Sequence, residues 1–277
     1  MKDLKVNLHI TERCNYQCKY CFAHFGKQKD LSVDNWKKII DNLAQSGKVS
    51  AINFAGGEPL LYKNFIELVD YAKNYGFKLS LISNGYFLLN EKLTPDKLLK
   101  NLNMLGVSID SFDEQTLIAL GCCDRHFTTL SESKLVNIVN RAKKINPSIK
   151  IKINTVVSRL NINENLIDLE NKISIDRWKF LKIKEFDNKS FSNKSLLITN
   201  DEFSKFLVLN RRVKGDCVPE QTTERSYIII DNQGNLLDNF GNNYEHVGNL
   251  LSESFDSVFT RYNFNGDLYK SRYNLAG

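Results

Sequence analysis

The chain has 277 residues, 42% of them hydrophobic and 25% charged, with only four prolines and fourteen glycines. This is a globular composition, and it excludes a disordered or low-complexity protein. No run of eighteen apolar residues occurs, and the opening MKDLKVNLHI lacks the apolar core and cleavage site of a signal peptide, so a cytoplasmic protein with no membrane association is expected. The net charge of +6 comes from scattered lysines. That pattern argues against a nucleic-acid binder, which shows a denser basic stripe, but a mild positive field helps gather an anionic ligand such as a nucleotide.

Strand-like and helix-like segments alternate through the first two thirds. Residues 4–10 read as a strand and 32–45 as a helix capped by Ser32. A strand at 51–55, a helix at 65–74 stopped by Gly76, and a strand at 78–83 follow. A short helix at 95–102 with Pro95 in its first turn leads to a strand at 104–109. Helical stretches at 114–120 and 131–144 precede a strand at 150–157, a helix at 164–172 and a sixth strand at 178–183. Alternation of this kind predicts βαβ units on a parallel sheet with right-handed crossovers. Six units are too few to close an eight-stranded barrel. The fold class is therefore α/β, a partial (β/α)6 barrel over residues 1–184, with its site at the C-terminal ends of the strands.

Beyond residue 184 the pattern weakens. Residues 187–194 read as a polar loop, 201–209 as a helix, 227–230 and 235–237 as two strands about a D-N-Q-G turn, and 254–261 as a final helix. Residues 185–277 are expected to form a C-terminal extension covering the barrel mouth.

The chemistry concentrates at strand ends. Directly after the first strand comes TERCNYQCKYCFA, residues 11–23, with Cys14, Cys18 and Cys21 in a C-x3-C-x2-C spacing. Three thiolates on a short loop can hold three corners of an iron–sulfur cube and leave the fourth iron open. Two other readings stand beside it: a zinc site completed by His24, and three packed thiols with no metal. The segment Gly56-Gly57-Glu58-Pro59 follows the second strand, Ser83-Asn84-Gly85 the third, and Asp110-Ser111 the fourth. In a partial barrel all four segments meet on one rim.

The cysteine loop and GGEP together resemble the radical S-adenosylmethionine (SAM) superfamily. The stretches NLHITERCNYQCKYCF, INFAGGEPLL, SLISNG, SIDSFDE, KINTVVSRLN and RWKFLK are similar, in this order, to the viperin-like enzymes of that superfamily, above all their prokaryotic members; looser similarity runs through CVPE and SYIIID. The resemblance implies a [4Fe–4S] cluster on Cys14, Cys18 and Cys21, with SAM's methionine chelating the open iron and a 5′-deoxyadenosyl radical as the product of its cleavage. Gly57, Glu58, Ser83 and Asn84 would hold SAM, Gly56 and Gly57 by letting the backbone come close to the methionine amine. Lys152, Asn154, Arg177 and Lys179 would face the triphosphate of a nucleoside triphosphate, CTP first, with UTP and GTP open. Arg and Lys suit that task, as a planar fork of donors and a compact charge. Each pair lies two apart on a strand, hence on one face. Arg159 is a further candidate, while Trp178, between two cations, points the other way and is read as core.

By the same resemblance the product is a 3′-deoxy-3′,4′-didehydro nucleotide used in antiviral defence, and the enzyme is a monomer served by an external one-electron reductant of flavodoxin or ferredoxin type. The sequence departs from the family where a lysine follows the third cysteine: Gly26 stands there and Lys27 one place later. The amphipathic membrane helix and tryptophan-ended tail of animal members are also missing, so neither membrane binding nor tail-assisted cluster loading is expected. Cys122 and Cys123 read as structural, and Cys217 is assigned no chemistry. The alternatives are a peptide-modifying or cofactor-maturing radical SAM enzyme, and a non-catalytic iron–sulfur or zinc module. The first commonly carries C-terminal cysteines for auxiliary clusters, and here only Cys217 lies beyond residue 123. The second needs four protein ligands and no GGEP.

Overall fold

The computed structural model describes residues 3–21, 23, 29–185, 187–188, 191–211, 216–217, 224–241 and 244–274. In chain order the elements are β1 (Leu4–His9), α1 (Val33–Gln45), β2 (Val49–Ala55), α2 (Phe65–Asn74), β3 (Lys78–Ser83), α3 (Asp96–Asn101), β4 (Met104–Ser108), α4 (Glu114–Leu120), α5 (Glu132–Ile145), β5 (Lys150–Val157) and β6 (Arg177–Lys182). After these come β7 (Asp187–Asn188), β8 (Phe191–Ser192), α6 (Asn200–Leu209), β9 (Asp216–Cys217), β10 (Ile228–Ile230), β11 (Asn235–Asp238), β12 (Glu245–Asn249), α7 (Phe255–Arg261) and α8 (Gly266–Asn274).

Ten strands form one open sheet in the order β12-β11-β10-β1-β2-β3-β4-β5-β6-β9. The run from β1 to β6 is parallel throughout, as βαβ units require. The sheet does not close, which matches the expected partial barrel. It crosses the boundary at residue 184 on both edges. β10 lies parallel to β1, with the antiparallel β11 and β12 beyond it, and β9 lies parallel to β6.

Period-two alternation sorts the strand residues onto two faces. Leu4, Val6 and Leu8 of β1, Ile52 and Phe54 of β2, Leu105 and Val107 of β4, and Ile151 and Ile153 of β5 are buried in one core with Trp36, Ile39 and Leu43 of α1. The alternate residues are polar: Lys5, Asn7 and His9 on β1, Asn53 on β2, Lys152 and Asn154 on β5, Arg177 and Lys179 on β6. A sheet buried by helices on one side thus carries a hydrophilic, cation-rich face on the other.

Helix ends follow local chemistry. Ser32, Asp113, Ser131 and Ser254 each cap a helix by accepting a backbone N–H three residues on, and Thr199 with Glu202 forms a full capping box before α6. Three expectations need correction. The helix expected at 164–172 is a short 3-10 turn, Ile167–Asn171. Its first residues are drawn into other bonds: the Glu164 carboxylate accepts from the Ser111 hydroxyl and the Phe112 N–H, and the Asn210 amide bonds Leu166 and Glu164. The loop expected at 187–194 contains the small antiparallel pair β7–β8, and α8 follows the helix expected to be last. Among the described residues no helix is long and apolar enough to cross a membrane.

Candidate active site

The cysteine loop leaves β1 and is pinned from two sides. On one side the GGEP turn docks against it: Gly57 N donates to Thr11 O at 2.7 Å and Glu58 N to Arg13 O at 2.8 Å. Gly56 has φ +120°, and a Cβ on it would strike the Thr11 carbonyl; one on Gly57 would strike the backbone of Glu12 and Arg13. These glycines are therefore needed where two backbones meet, a reason for GG that the sequence reading, focused on SAM, missed. On the other side Gln17 N donates to Gly121 O at 3.1 Å and Lys19 N to Leu120 O at 2.9 Å, at the end of α4. The start of the loop is fixed by Asp30, which accepts from the Thr11 hydroxyl at 2.8 Å and from Arg13 Nε at 3.0 Å.

Cys14, Cys18 and Cys21 are unpaired by disulfides and partly buried. Tyr16 N donates to Cys14 Sγ at 3.4 Å, and Asn84 Nδ2 approaches it at 3.7 Å. Burial pushes the Cys14 thiol up to about 11 and Cys21 to about 12, with the Cys18 sulfur adding to both. Burial that disfavours bare thiolates at Cys14 and Cys21 fits a cationic iron–sulfur core, which would supply the compensating charge and hold the cysteines as thiolates. Among the described residues no three His, Cys, Asp or Glu side chains crowd round a single point, and a cube, whose cysteines each take a different iron, does not require them to. His24 and Lys27 lie outside the described residues.

Glu58 is fully buried and ties the second strand-end loop to the third. Its carboxylate accepts from Leu60 N at 3.2 Å, from the Ser83 hydroxyl at 3.1 and 3.0 Å, and from Asn84 N at 2.9 Å. Burial nonetheless raises its carboxyl to about 7, the hydrogen bonds opposing that rise. Asn84 also reaches Asn15 Oδ1 at 2.9 Å. Gly57, Glu58, Ser83 and Asn84 are thus brought together, against the cysteine loop.

The fourth strand end brings Asp110 to the same loop. The Tyr20 hydroxyl donates to Asp110 Oδ2 and lies 3.1 Å from Cys122 Sγ. Burial raises the Asp110 carboxyl to about 6, while the bonds from Tyr20 and Val156 N oppose that rise. The sequence reading left Cys122 as structural; the fold sets it beside Cys18.

The four residues expected to face the triphosphate form two rows. Lys152 stands opposite Arg177, and Asn154 opposite Lys179, in the register of β5 and β6. Lys179 Nζ sits over the Tyr227 ring, 4.9 Å from its centre, and donates to the Tyr227 hydroxyl. Trp178 faces the core, as expected, donating Nε1 to Thr155 Oγ1 at 3.0 Å. Arg159 does not join the rows: it is exposed and bonds Glu202 of α6 at 3.3 Å and Leu197 O at 2.9 Å. The strand β9 places the Cys217 backbone beside Trp178.

The sequence reading missed three residues of this face: Lys5, His9 and Tyr227. Burial, with the nearby Arg177 charge, lowers Lys5 to about 8, and burial lowers His9 to about 4. The alternation Lys5-Val-Asn7-Leu-His9 held the signal for the first two.

Residues 8–171 match the Radical SAM superfamily, which is the class that this open α/β sheet and its cysteine loop define. A Selenomonas ruminantium protein named S-adenosylmethionine-dependent nucleotide dehydratase is 49% identical over 269 residues, covering 97% of this chain and 98% of the other. A Psychrobacter lutiphocae protein of the same name is 34% identical, covering 99% and 96%. The solved structure of Streptococcus suis SuiB bound to S-adenosylmethionine shares the fold, with a TM-score of 0.68 at 16% identity over 98% of this chain and 68% of that one. The chain belongs to the viperin-like, SAM-dependent nucleotide dehydratase family of radical SAM enzymes. Its cofactors are a [4Fe–4S] cluster and SAM.

Proposed function

We propose that this protein is a lyase that removes water from the ribose of a nucleoside triphosphate, CTP in the first instance, and yields the 3′-deoxy-3′,4′-didehydro nucleotide for antiviral defence. The observation that carries the proposal is the double row Lys152–Arg177 and Asn154–Lys179 on the polar face of the sheet. The planar fork of Arg177 and the point charges of Lys152 and Lys179, gathered on one face, match the several charged oxygens of a polyphosphate.

In this reading Cys14, Cys18 and Cys21 hold the cluster, and Gly57, Glu58, Ser83 and Asn84 hold SAM. When bound, the two cofactors supply a 5′-deoxyadenosyl radical that takes the ribose 4′ hydrogen. Arg177 engages phosphate oxygens with its fork while Lys152 and Lys179 contribute point charges, which fixes the ribose relative to the cysteine loop. Loss of the 3′ hydroxyl as water, with a proton and one further electron, completes the product. Lys27, four residues after Ala23 in the sequence, is proposed as a further cation for the phosphates. The segment from residue 185 onward is read as the cover of the barrel mouth; among its described residues the Tyr227 ring lies by Lys179 and the Tyr244 ring by Lys184. The enzyme works as a cytoplasmic monomer with an external flavodoxin- or ferredoxin-type reductant.

The test is SAM cleavage by anaerobically reconstituted protein across a nucleotide panel. The proposal expects 5′-deoxyadenosine above background with one nucleoside triphosphate, and less with its diphosphate and monophosphate. Equal background cleavage with every nucleotide overturns it.

A further inference from the structure

We propose that Lys5 is a further phosphate-binding residue, whose ammonium meets the terminal phosphate of the nucleotide and so selects a triphosphate over a diphosphate. The inference rests on the reading of β5 and β6 as the phosphate site and adds to it a cation from β1.

The fold brings Lys5 to that site. Leu4 and Val6 are fully buried in the core, so Lys5 between them points to the other, polar face of the sheet, where it is half-buried. Its backbone is fixed by Lys5 N, which donates to the Tyr269 hydroxyl at 2.7 Å. On one side its neighbour in register is Ala51, whose methyl leaves room for a long side chain. On the other side Val6 pairs with Ile228 of β10, which brings Tyr227 alongside Lys5. Tyr227 is also where β6 arrives, since Lys179 Nζ sits over its ring, 4.9 Å from the centre, and donates to its hydroxyl. In the sheet β2, β3, β4 and β5 stand between β1 and β6. The sheet therefore curls until its two flanks meet at Tyr227, with Lys5 and Lys179 both next to that residue.

Position along the strand decides which phosphate Lys5 would meet. The cysteine loop leaves β1 after His9, and Lys5 lies four residues earlier, about 13 Å deeper at the rise of a parallel strand. Arg177, the first residue of β6, stands at the same N-terminal end of the sheet. A ribose held beside the cysteine loop, with its phosphates on Arg177 and Lys179, sends the phosphate chain down towards that end, and the last phosphate reaches furthest. Burial lowers the Lys5 amine to about 8, so it still carries its proton at neutral pH. A compact ammonium there makes a charge-assisted bond to an oxygen of the terminal phosphate. A diphosphate, one phosphate shorter, leaves that bond unmade.

The test is equilibrium binding of CTP, UTP and GTP, each beside its diphosphate, to reconstituted wild type, Lys5→Met and Lys5→Arg, with iron content measured on each. Lys5→Met keeps the length of the side chain and removes its charge. It is expected to weaken the preferred triphosphate about tenfold or more and its diphosphate by less than about twofold, at unchanged iron content. Lys5→Arg is expected to restore most of the triphosphate affinity. An unchanged ratio of triphosphate to diphosphate affinity in Lys5→Met overturns the inference and leaves the phosphate reading of β5 and β6 standing. If Lys5→Met does not fold, reductive methylation of the Lys5 amine in wild type, read by mass spectrometry, decides instead. The triphosphate is expected to block that labelling and the diphosphate to leave it, and equal labelling with both overturns the inference. Wild-type protein that binds none of these nucleotides overturns the nucleotide reading and this inference with it.

Discussion

Lys152 and Arg177 stand directly opposite each other on adjacent parallel strands, one level below the pair Asn154 and Lys179. Arg177 is only 9% and Lys179 4% exposed, so this cationic face is largely withdrawn from solvent. Lys5, reaching the same region from β1, is lowered to about 8 by burial, with the Arg177 charge adding to it. A polyphosphate suits this face, since its oxygens accept charge-assisted bonds from such cations.

Removing a phosphate partner should therefore weaken nucleotide binding without touching the cluster. Arg177→Ala and Lys179→Ala each delete charge-assisted bonds, worth about 1.5–3 kcal/mol and so about tenfold or more in affinity. Equilibrium binding of nucleoside triphosphate measures the first effect and iron content the second. The loss should shrink for the diphosphate.

The docking of GGEP on the cysteine loop predicts a different phenotype for Gly57→Ala. The new Cβ would fall on the Arg13 carbonyl, a backbone atom that cannot turn away. The loop must move, and overpacking of this kind costs about 1–3 kcal/mol. Iron uptake should fall with it, while the circular dichroism of the sheet is retained. Full iron loading in Gly57→Ala would mean that the close approach is not needed.

Glu58 makes stability depend on pH. Its carboxyl rises from 4.5 to about 7 on folding, so between those values the folded state holds a proton that the unfolded chain has released. The contribution is fully present below about pH 4.5 and is lost as pH rises through 7, on the order of 3 kcal/mol. In the metal-free protein Glu58→Gln should flatten the fall in melting temperature across this window. An identical slope in the variant would contradict the assignment.

Asp30 accepts from Thr11 and Arg13 together, and Asn232 Nδ2 lies 3.4 Å from its other oxygen. Asp30→Ala leaves the Thr11 hydroxyl, on a fully buried residue, without that acceptor. A loss of about 1–3 kcal/mol is expected, together with faster release of iron to a chelator.

Much of this arrangement was legible in the sequence because it is written locally. Helices 65–74 and 114–120 and strands 78–83 and 150–157 fall where periodicity and capping put them. Trp178 could be assigned to the core because its neighbours Arg177 and Lys179 alternate with it. The helix expected at 164–172 failed because Glu164 and Leu166 are claimed by Ser111 and Asn210, residues far away in sequence. The pairing of β10 with β1 spans most of the chain and leaves no local trace. The same holds for Cys122: nothing in C-C-D announces a thiol beside Cys18, since that contact depends on the end of α4 meeting the cysteine loop.

In the proposed reaction the radical made at the cysteine loop takes the ribose 4′ hydrogen of a nucleoside triphosphate held by β5 and β6. Turnover with that triphosphate deuterated at the ribose 4′ position measures this directly, by mass spectrometry of the 5′-deoxyadenosine formed. One deuterium is expected in 5′-deoxyadenosine, with a nucleotide product that has lost its 4′ deuterium and its 3′ hydroxyl. Unlabelled 5′-deoxyadenosine from the labelled substrate would contradict it.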